Sequence, residues 1–160
     1  MSINLNFTNN SQVQSSSNYI LFYDKSKSIH GLNKSNLKKY ANELEKNIQF
    51  SKSKEGKYEY FNLEKGIKVT LIELNNISSS LEIEKKGAAL NEFLKKNKIL
   101  NNFFLIENLD IFKKQKYIFF TKFLHGLLLK SYEFNKYKTS KNSRQLIVLN
   151  IPKKITEFLN

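Results

Sequence analysis

The chain has 160 residues, of which 40% are hydrophobic and 13% aromatic, and this suits one globular domain with its own core. It has no cysteine, which excludes disulfides and thiolate metal sites and is compatible with a reducing compartment. The net charge is +13, and 26 of the 27 basic residues are lysine. Because arginine is the usual reader of phosphates and bases, this lysine excess favours a solvating surface over a nucleic-acid-binding one.

No segment of the sequence is typical of a secretory signal or a membrane span. The N-terminal segment lacks a basic region followed by an apolar one. The most apolar window, residues 117–129, carries Lys122 and His125. We therefore expect a cytoplasmic protein.

Apolar runs and helical patterns alternate along the first half of the chain. Residues 3–7 alternate with period two and residues 19–23 are a continuous apolar run, so both predict strands. Residues 33–48 carry apolar side chains at helical spacing and predict an amphipathic helix. Residues 58–63 and 67–74 predict a hairpin or two adjacent strands.

The second half continues this alternation. Residues 79–98 predict a helix that Ser79 caps, and the small residues 87–89 would let this helix lie close to a sheet. Strands are predicted at residues 102–107 and 145–151, on either side of a long helix at residues 114–137. Strands that are apolar on both faces and separated by helices predict an α/β domain with a mixed, mostly parallel sheet covered on both sides.

A helical wheel divides the long helix into two sides at 100° per residue. The predicted core side holds Tyr117, Phe120, Phe123, Leu124, Leu127, Leu128 and Phe134. The opposite side holds Gln115, Lys122, Gly126, Lys130 and Glu133.

Residues with catalytic or ligand-binding chemistry are scattered. The five glycines are never closer than ten residues apart, so no glycine-rich phosphate cradle is visible. His30 and His125 stand alone in sequence, and Asp24 and Asp110 are the only aspartates. The sequence therefore predicts no catalytic and no metal-binding residue.

Basic residues cluster in residues 113–144, where nine basic residues and one acidic residue give +8 of the total charge. This segment could bind a polyanion, and Tyr132, Phe134 and Tyr137 could stack on bases. Alternatively, these rings continue a buried helix face, and the lysines complement the helix dipole. The candidate polyanion contacts are Lys130, Lys136, Lys138, Lys141 and Arg144.

The same segment carries a sequence resemblance. "LHGLLLKSYEFNKYKTSK", residues 124–141, resembles the end of the N-terminal domain of the leucyl aminopeptidase family, the cytosol aminopeptidases of peptidase family M17. In that family a helix ends in a small residue and leucines and is followed by a tyrosine- and lysine-containing run. The matching residues are Gly126, Leu127, Leu128, Leu129, Ser131, Tyr132, Phe134, Tyr137, Lys138 and Thr139.

The resemblance implies a fold and a function. The family's N-terminal domain is a three-layer α/β/α sandwich similar to macro domains, and macro domains that bind ADP-ribose use glycine-rich loops that this chain lacks. The family releases N-terminal amino acids from peptides in a separate C-terminal domain that holds two divalent metals, zinc or manganese. We therefore expect residues 1–152 to be a non-catalytic domain and residues 153–160 to begin a connection toward a missing catalytic domain.

Two hypotheses follow from these patterns. In the first, the chain packs on a catalytic domain of the family and supports a hexamer. In the second, it is a stand-alone basic module on the same fold that binds nucleic acid. Under the first hypothesis, a missing partner would leave Ile155, Phe158 and Leu159 exposed.

Overall fold

A computed structural model describes residues 2–9, 13–50, 58–74, 79–132 and 146–158. Three α-helices follow one another along these residues: α1 (Ala41–Phe50), α2 (Ser80–Lys96) and α3 (Lys116–Ser131). The strands are β1 (Ser2–Thr8), β2 (Asn18–Tyr23), β3 (Glu59–Asn62), β4 (Lys68–Glu73), β5 (Asn101–Phe104) and β6 (Leu146–Pro152).

The strands form one sheet in the order β1-β6-β5-β2-β4-β3. All neighbouring pairs are parallel except β3 and β4, which are antiparallel. Of the two alternatives left open for these segments, the structure shows the hairpin. Helix α1 covers one face of the sheet, and α2 and α3 cover the other. The predicted three-layer α/β/α sandwich with a mostly parallel sheet is confirmed.

Each face of the sheet has its own core. Even-numbered residues of β2, such as Ile20 and Phe22, pack against α2 and α3, and odd-numbered ones such as Leu21 pack on the α1 side. All six residues of β2 are buried, because this central strand is covered on both faces. Burial on both faces explains why residues 19–23 are apolar without interruption.

The helix predicted at residues 33–48 begins late, at Ala41. Two 3₁₀ turns, Leu32–Lys34 and Lys38–Tyr40, precede it. The Ser35 hydroxyl donates to the Leu32 carbonyl at 2.7 Å and accepts from the Leu37 N–H at 3.2 Å. These local bonds replace helical ones, so the apolar periodicity extends further than the helix does.

Two other predicted boundaries are wrong. Strand β5 ends at Phe104, and the chain then turns into the 3₁₀ segment Glu107–Gln115. Helix α3 ends at Ser131 rather than at Tyr137, because Tyr132 leaves the helical conformation with ψ of 89°. The start of α2 is as predicted, and Ser79 and Glu82 bond each other's backbone N–H in a capping box.

Gly126 does not lie on an outward helix side as the wheel predicted. It is buried where α3 crosses α2, and an added Cβ would overlap the carbonyl oxygen of Glu84. Gly87 faces the carbonyl oxygen of Phe123 in the same way, so it lets α2 approach a helix and not the sheet. The wheel also missed Phe119, which is buried in the core beneath these helices.

Asparagine side chains connect neighbouring strands inside the sheet. On the α2–α3 face, the Thr70 hydroxyl donates to Asn18 Oδ1 at 3.0 Å, and Asn18 Nδ2 donates to Asn102 Oδ1 at 2.8 Å. On the α1 face, Asn6 Nδ2 donates to Asn150 Oδ1 at 2.7 Å. Because amides pair only when their strands are in register, these bonds oppose slippage of β1, β6, β5, β2 and β4.

The prediction that Ile155 would be exposed is wrong. It lies in the 3₁₀ segment Lys153–Phe158 that follows β6, it has no exposed surface, and it belongs to the core under α2 and α3. The apolar pattern after Pro152 therefore closes the chain's own core. The side chains of Phe158 and Leu159 lie outside the described residues.

Candidate functional site

The described residues of the sequence signature divide between the core and the surface at the end of α3. Gly126 and Leu127 are buried, Leu128 is half-buried, and the Ser131 hydroxyl donates to the Leu128 carbonyl at 2.6 Å. Tyr132 is 86% exposed. Phe134, Tyr137, Lys138 and Thr139 lie outside the described residues.

Of the candidate polyanion contacts, Lys130 alone falls in the described part of the chain. Its Nζ lies 2.7 Å from Glu92 Oε1. The Lys130 side chain is 50% exposed and the Glu92 side chain 63%. Lys136, Lys138, Lys141 and Arg144 lie outside it. Contact with nucleic acid therefore stays a prediction, and Glu92 already offsets the charge of one candidate.

Helix α3 presents a continuous outward row, which we name the outer α3 stripe: Ile118, Lys122, His125, Leu129 and Tyr132. Their spacing of three or four residues places them along one line of the helix surface. Ile118 and Leu129 are 66% and 57% exposed. The row is thus apolar at both ends and basic in its middle.

His125 in the middle of this row pairs with α2. Its Nδ1 lies 3.1 Å from Glu84 Oε1, and the histidine side chain is 55% exposed. The contact ties α3 to α2 beside the glycine crossing. Neither residue has a third ligating neighbour, because the described residues contain no group of three metal-ligating side chains.

The carboxyl edge of the parallel strands is closed at its centre by Asn108. The side chain is buried, accepts from the Phe22 N–H at 2.6 Å and donates to the carbonyls of Phe22 and His30, each at 3.0 Å. The segments that follow the adjacent strands β2 and β5 pass to opposite faces of the sheet at this point. Such a point is where α/β folds commonly hold ligands. Asn108 fills that position with a side chain.

A cleft of about 600 Å³ lies beside Asn108, outside the ends of β1, β5 and β6. We name it the strand-end cleft. It is lined by Tyr19 and by residues 8–9, 34–36, 103–107 and 152–154. No short window of the sequence predicts it, because its lining comes from five separate stretches of the chain.

A second cleft of about 470 Å³ opens on the other side, between the end of β4, the start of α2 and the 3₁₀ segment Glu107–Gln115. Asp24 is its one charged lining residue among the described part of the chain. Apolar side chains such as Ile83 and Phe112 form most of its wall. The two clefts thus differ in the sign of their charge.

Asp24 holds a turn after β2. Burial raises the pKa of its carboxyl, but hydrogen bonds from Ser26, His30 and the Ser28 N–H outweigh burial and lower this pKa to about 2. His30 Nε2 lies 2.8 Å from Asp24 Oδ2. The histidine is thus engaged in a turn and is no isolated metal ligand.

We expect Asp24→Asn to lower stability in a pH-dependent manner. Because the folded pKa of Asp24 lies below its unfolded value of about 3.9, the carboxylate stabilises the fold above pH 4. This contribution is lost as the pH falls toward 2. The carboxylate is partly exposed, so the difference should be about 1 kcal/mol or less.

Urea unfolding of both proteins between pH 2 and 6 measures this effect. The difference in the free energy of unfolding between the unaltered chain and Asp24→Asn should decrease as the pH falls. In a Ser26→Ala background, which lacks one hydrogen bond to the carboxylate, this difference should be smaller. A gap that stays constant over this range would contradict the assigned role of Asp24.

None of the helices in the described ranges combines the length and apolar character that a bilayer span requires. This finding concerns the described helices alone.

A solved structure resembles the chain over almost all of its length. It is a mutant of tomato leucine aminopeptidase, with a TM-score of 0.61 and 19% sequence identity, and the match covers 99% of this chain and 34% of that chain. No family model matches the sequence, and no curated protein matches it. At this identity the likeness concerns the fold, and at that level it confirms the resemblance to leucyl aminopeptidases.

Proposed function

We propose that the chain is a non-catalytic domain of a leucyl aminopeptidase-like protein, whose role is to pack on a metal-dependent peptidase domain and to support oligomer assembly. The structural match carries this proposal. It spans 99% of this chain and only 34% of the tomato enzyme's chain, so it concerns one portion of that protein. The order of the signature residues between Gly126 and Thr139 in the sequence supports the same proposal.

The residues that the structure describes do not fit a two-metal site. The proposed activity, release of N-terminal amino acids from peptides, needs carboxylates that hold metals and activate water. In the described residues Asp24 is engaged by His30 and Asp110 by Lys116, and no group of three ligating side chains is present. Under this proposal the peptidase domain supplies zinc or manganese, and this chain supplies a surface.

The outer α3 stripe is the surface that we assign to this packing. Leu129 and Tyr132 are exposed apolar neighbours at one end of the stripe, three residues apart, and Ile118 lies exposed at the other. Apolar side chains exposed in one row are typical of protein interaction sites, and tyrosine is enriched at the centres of such sites. His125, in contact with Glu84, lies between them.

The proposal predicts binding between this chain and the catalytic domain of a leucyl aminopeptidase. We expect Leu129→Asp to weaken the complex about tenfold or more, because a buried aspartate at the interface would lack a partner. Phe50→Asp is the matched control, since Phe50 is an 81% exposed apolar residue on α1. Co-purification and light scattering measure the complex.

Three results would contradict the proposal. These are the absence of a complex with the unaltered chain, an equal loss of binding in the Phe50 variant, and release of amino acids from leucyl substrates by this chain alone with Mn²⁺ or Zn²⁺ added.

A further inference from the structure

The strand-end cleft occupies a position that α/β sheets commonly use for ligands. It lies outside the carboxyl ends of β1, β6 and β5, which are three neighbouring parallel strands. Ligands of open α/β sheets bind outside these ends, in the crevice formed by the following loops. The volume of about 600 Å³ lies within the range of small-molecule sites.

The charge of the lining residues indicates an anion. Lys34 comes from the wall before α1, and Lys153 and Lys154 come from the opposite wall after β6. Glu107 is the one acidic lining residue, which leaves a net charge of +2. A cleft with an excess of one charge concentrates ligands of the opposite charge. The second cleft holds Asp24 and has no positive excess among its lining residues.

The rest of the lining is largely apolar. Phe103, Leu105, Ile106 and Pro152 contribute side chains from the ends of two strands. The ring of Tyr19 stacks on Phe103 with 5.4 Å between centroids, so the back wall is rigid. A cleft with cations and apolar surface matches a ligand that has both an anionic group and an apolar body.

The wall that carries Lys34 and the loop after β5 are held in place before any ligand binds. Gly31 has φ of 74°, and a Cβ there would overlap the Glu107 carbonyl, so the segment that carries Lys34 lies directly on the loop after β5. Asn108 bonds the backbone of Phe22 and His30, which fixes that loop to β2 and to the same segment. Such preorganisation lowers the entropy cost of binding.

From these observations we infer that the strand-end cleft binds a small organic phosphate ester, with its apolar body against Phe103 and Ile106 and its phosphate between Lys34 and the pair Lys153 and Lys154. This inference goes beyond the proposed packing role. It involves no residue of the outer α3 stripe, so either proposal can fail alone.

Phenyl phosphate is the probe for this site, with inorganic phosphate and phenol as its separate halves. We expect saturable binding of phenyl phosphate to the full chain with a Kd of about 0.1 to 1 mM, and at least about tenfold weaker binding of either half. Calorimetry gives the affinities, and amide chemical shifts of residues 103–107 and 152–154 report the location.

Removal of the lysines tests the charge assignment. The variant Lys153→Gln with Lys154→Gln, and separately Lys34→Gln, should each weaken phenyl phosphate binding about tenfold. Lys113→Gln with Lys114→Gln is the matched control, because it removes two adjacent exposed lysines that do not line the cleft. All of these positions are exposed, so circular dichroism should show unchanged folding.

Several results would overturn the inference. One is the absence of saturable binding up to about 10 mM phenyl phosphate. Another is equal affinity for inorganic phosphate, since the apolar lining would then contribute nothing. A third is an equal loss of binding in the Lys113 and Lys114 control, which would indicate general attraction to a basic protein.

Discussion

Replacing Gly126 by alanine is expected to destabilise the fold by about 2 to 3 kcal/mol, although alanine is the better helix former. The reason is the helix crossing. A Cβ at this position would overlap the carbonyl oxygen of Glu84, which is backbone and cannot rotate away. The two helices would have to separate, and the core beneath Phe123 and Leu127 would lose packing.

The same crossing gives a second, sharper measurement. Gly87→Ala should destabilise by a similar amount, because its Cβ would overlap the Phe123 carbonyl from the other helix. Once one alanine has separated the helices, the Cβ of the second alanine overlaps the opposite backbone less. The double variant should therefore lose less free energy of unfolding than the sum of the two single variants. Urea unfolding followed by circular dichroism measures all three.

The control for this experiment is Leu129→Ala on the same helix. Leu129 is 57% exposed, and its replacement should change stability by no more than about 0.5 kcal/mol. If Gly126→Ala proved as harmless as this control, or stabilising as helix propensity alone predicts, the close approach of α2 and α3 would be wrong.

Replacing Asn108 by alanine is expected to destabilise the fold by about 3 kcal/mol. The change removes three hydrogen bonds, and it leaves the N–H of Phe22 without its side-chain acceptor in the most buried strand of the sheet. An unsatisfied buried donor costs more than the bond itself contributes.

Asn97→Ala is the control for this prediction. Asn97 also donates through Nδ2 to a carbonyl, that of Phe93 at 2.8 Å, but it is exposed at the end of α2. Its loss should cost less than about 1 kcal/mol because water replaces the bond. Thermal and urea unfolding measure the stability of the two variants. An equal loss of stability in both would contradict the stabilising role of the buried Asn108 hydrogen bonds.

Much of the fold could be predicted because periodicity and burial are linked directly. Residues 19–23 are apolar without interruption since β2 is covered on both faces, and Ser79 with Glu82 forms a cap that is readable from spacing alone. The failures have physical causes in other parts of the chain. The Ser35 hydroxyl bonds the local backbone, so α1 begins later than its apolar periodicity does. Gly126 packs against the backbone of α2, and a wheel of one helix shows no contact with another helix.

The candidate sites were less predictable than the fold. The signature between Gly126 and Thr139 indicated the right fold, but the order of its residues does not determine which side chains face outward. Lys34 and Lys153 line opposite walls of the strand-end cleft but are more than a hundred residues apart in sequence. They line the same cleft only because β6 and β5 lie between β1 and β2 in the sheet. A pattern within a short window cannot contain such a site.

The pairing of β1 with β6 also constrains when the protein can fold. β1 is an edge strand whose neighbour is β6, with Ser2 opposite Leu146 and Thr8 opposite Pro152. At about 5 to 20 residues per second, a ribosome needs roughly 7 to 30 s to make the chain between these partners. During that time the segment from Ser2 to Thr8 has no strand to join. Strand β1 can therefore join the sheet only after β6 has been synthesised, and this edge of the sheet is completed late.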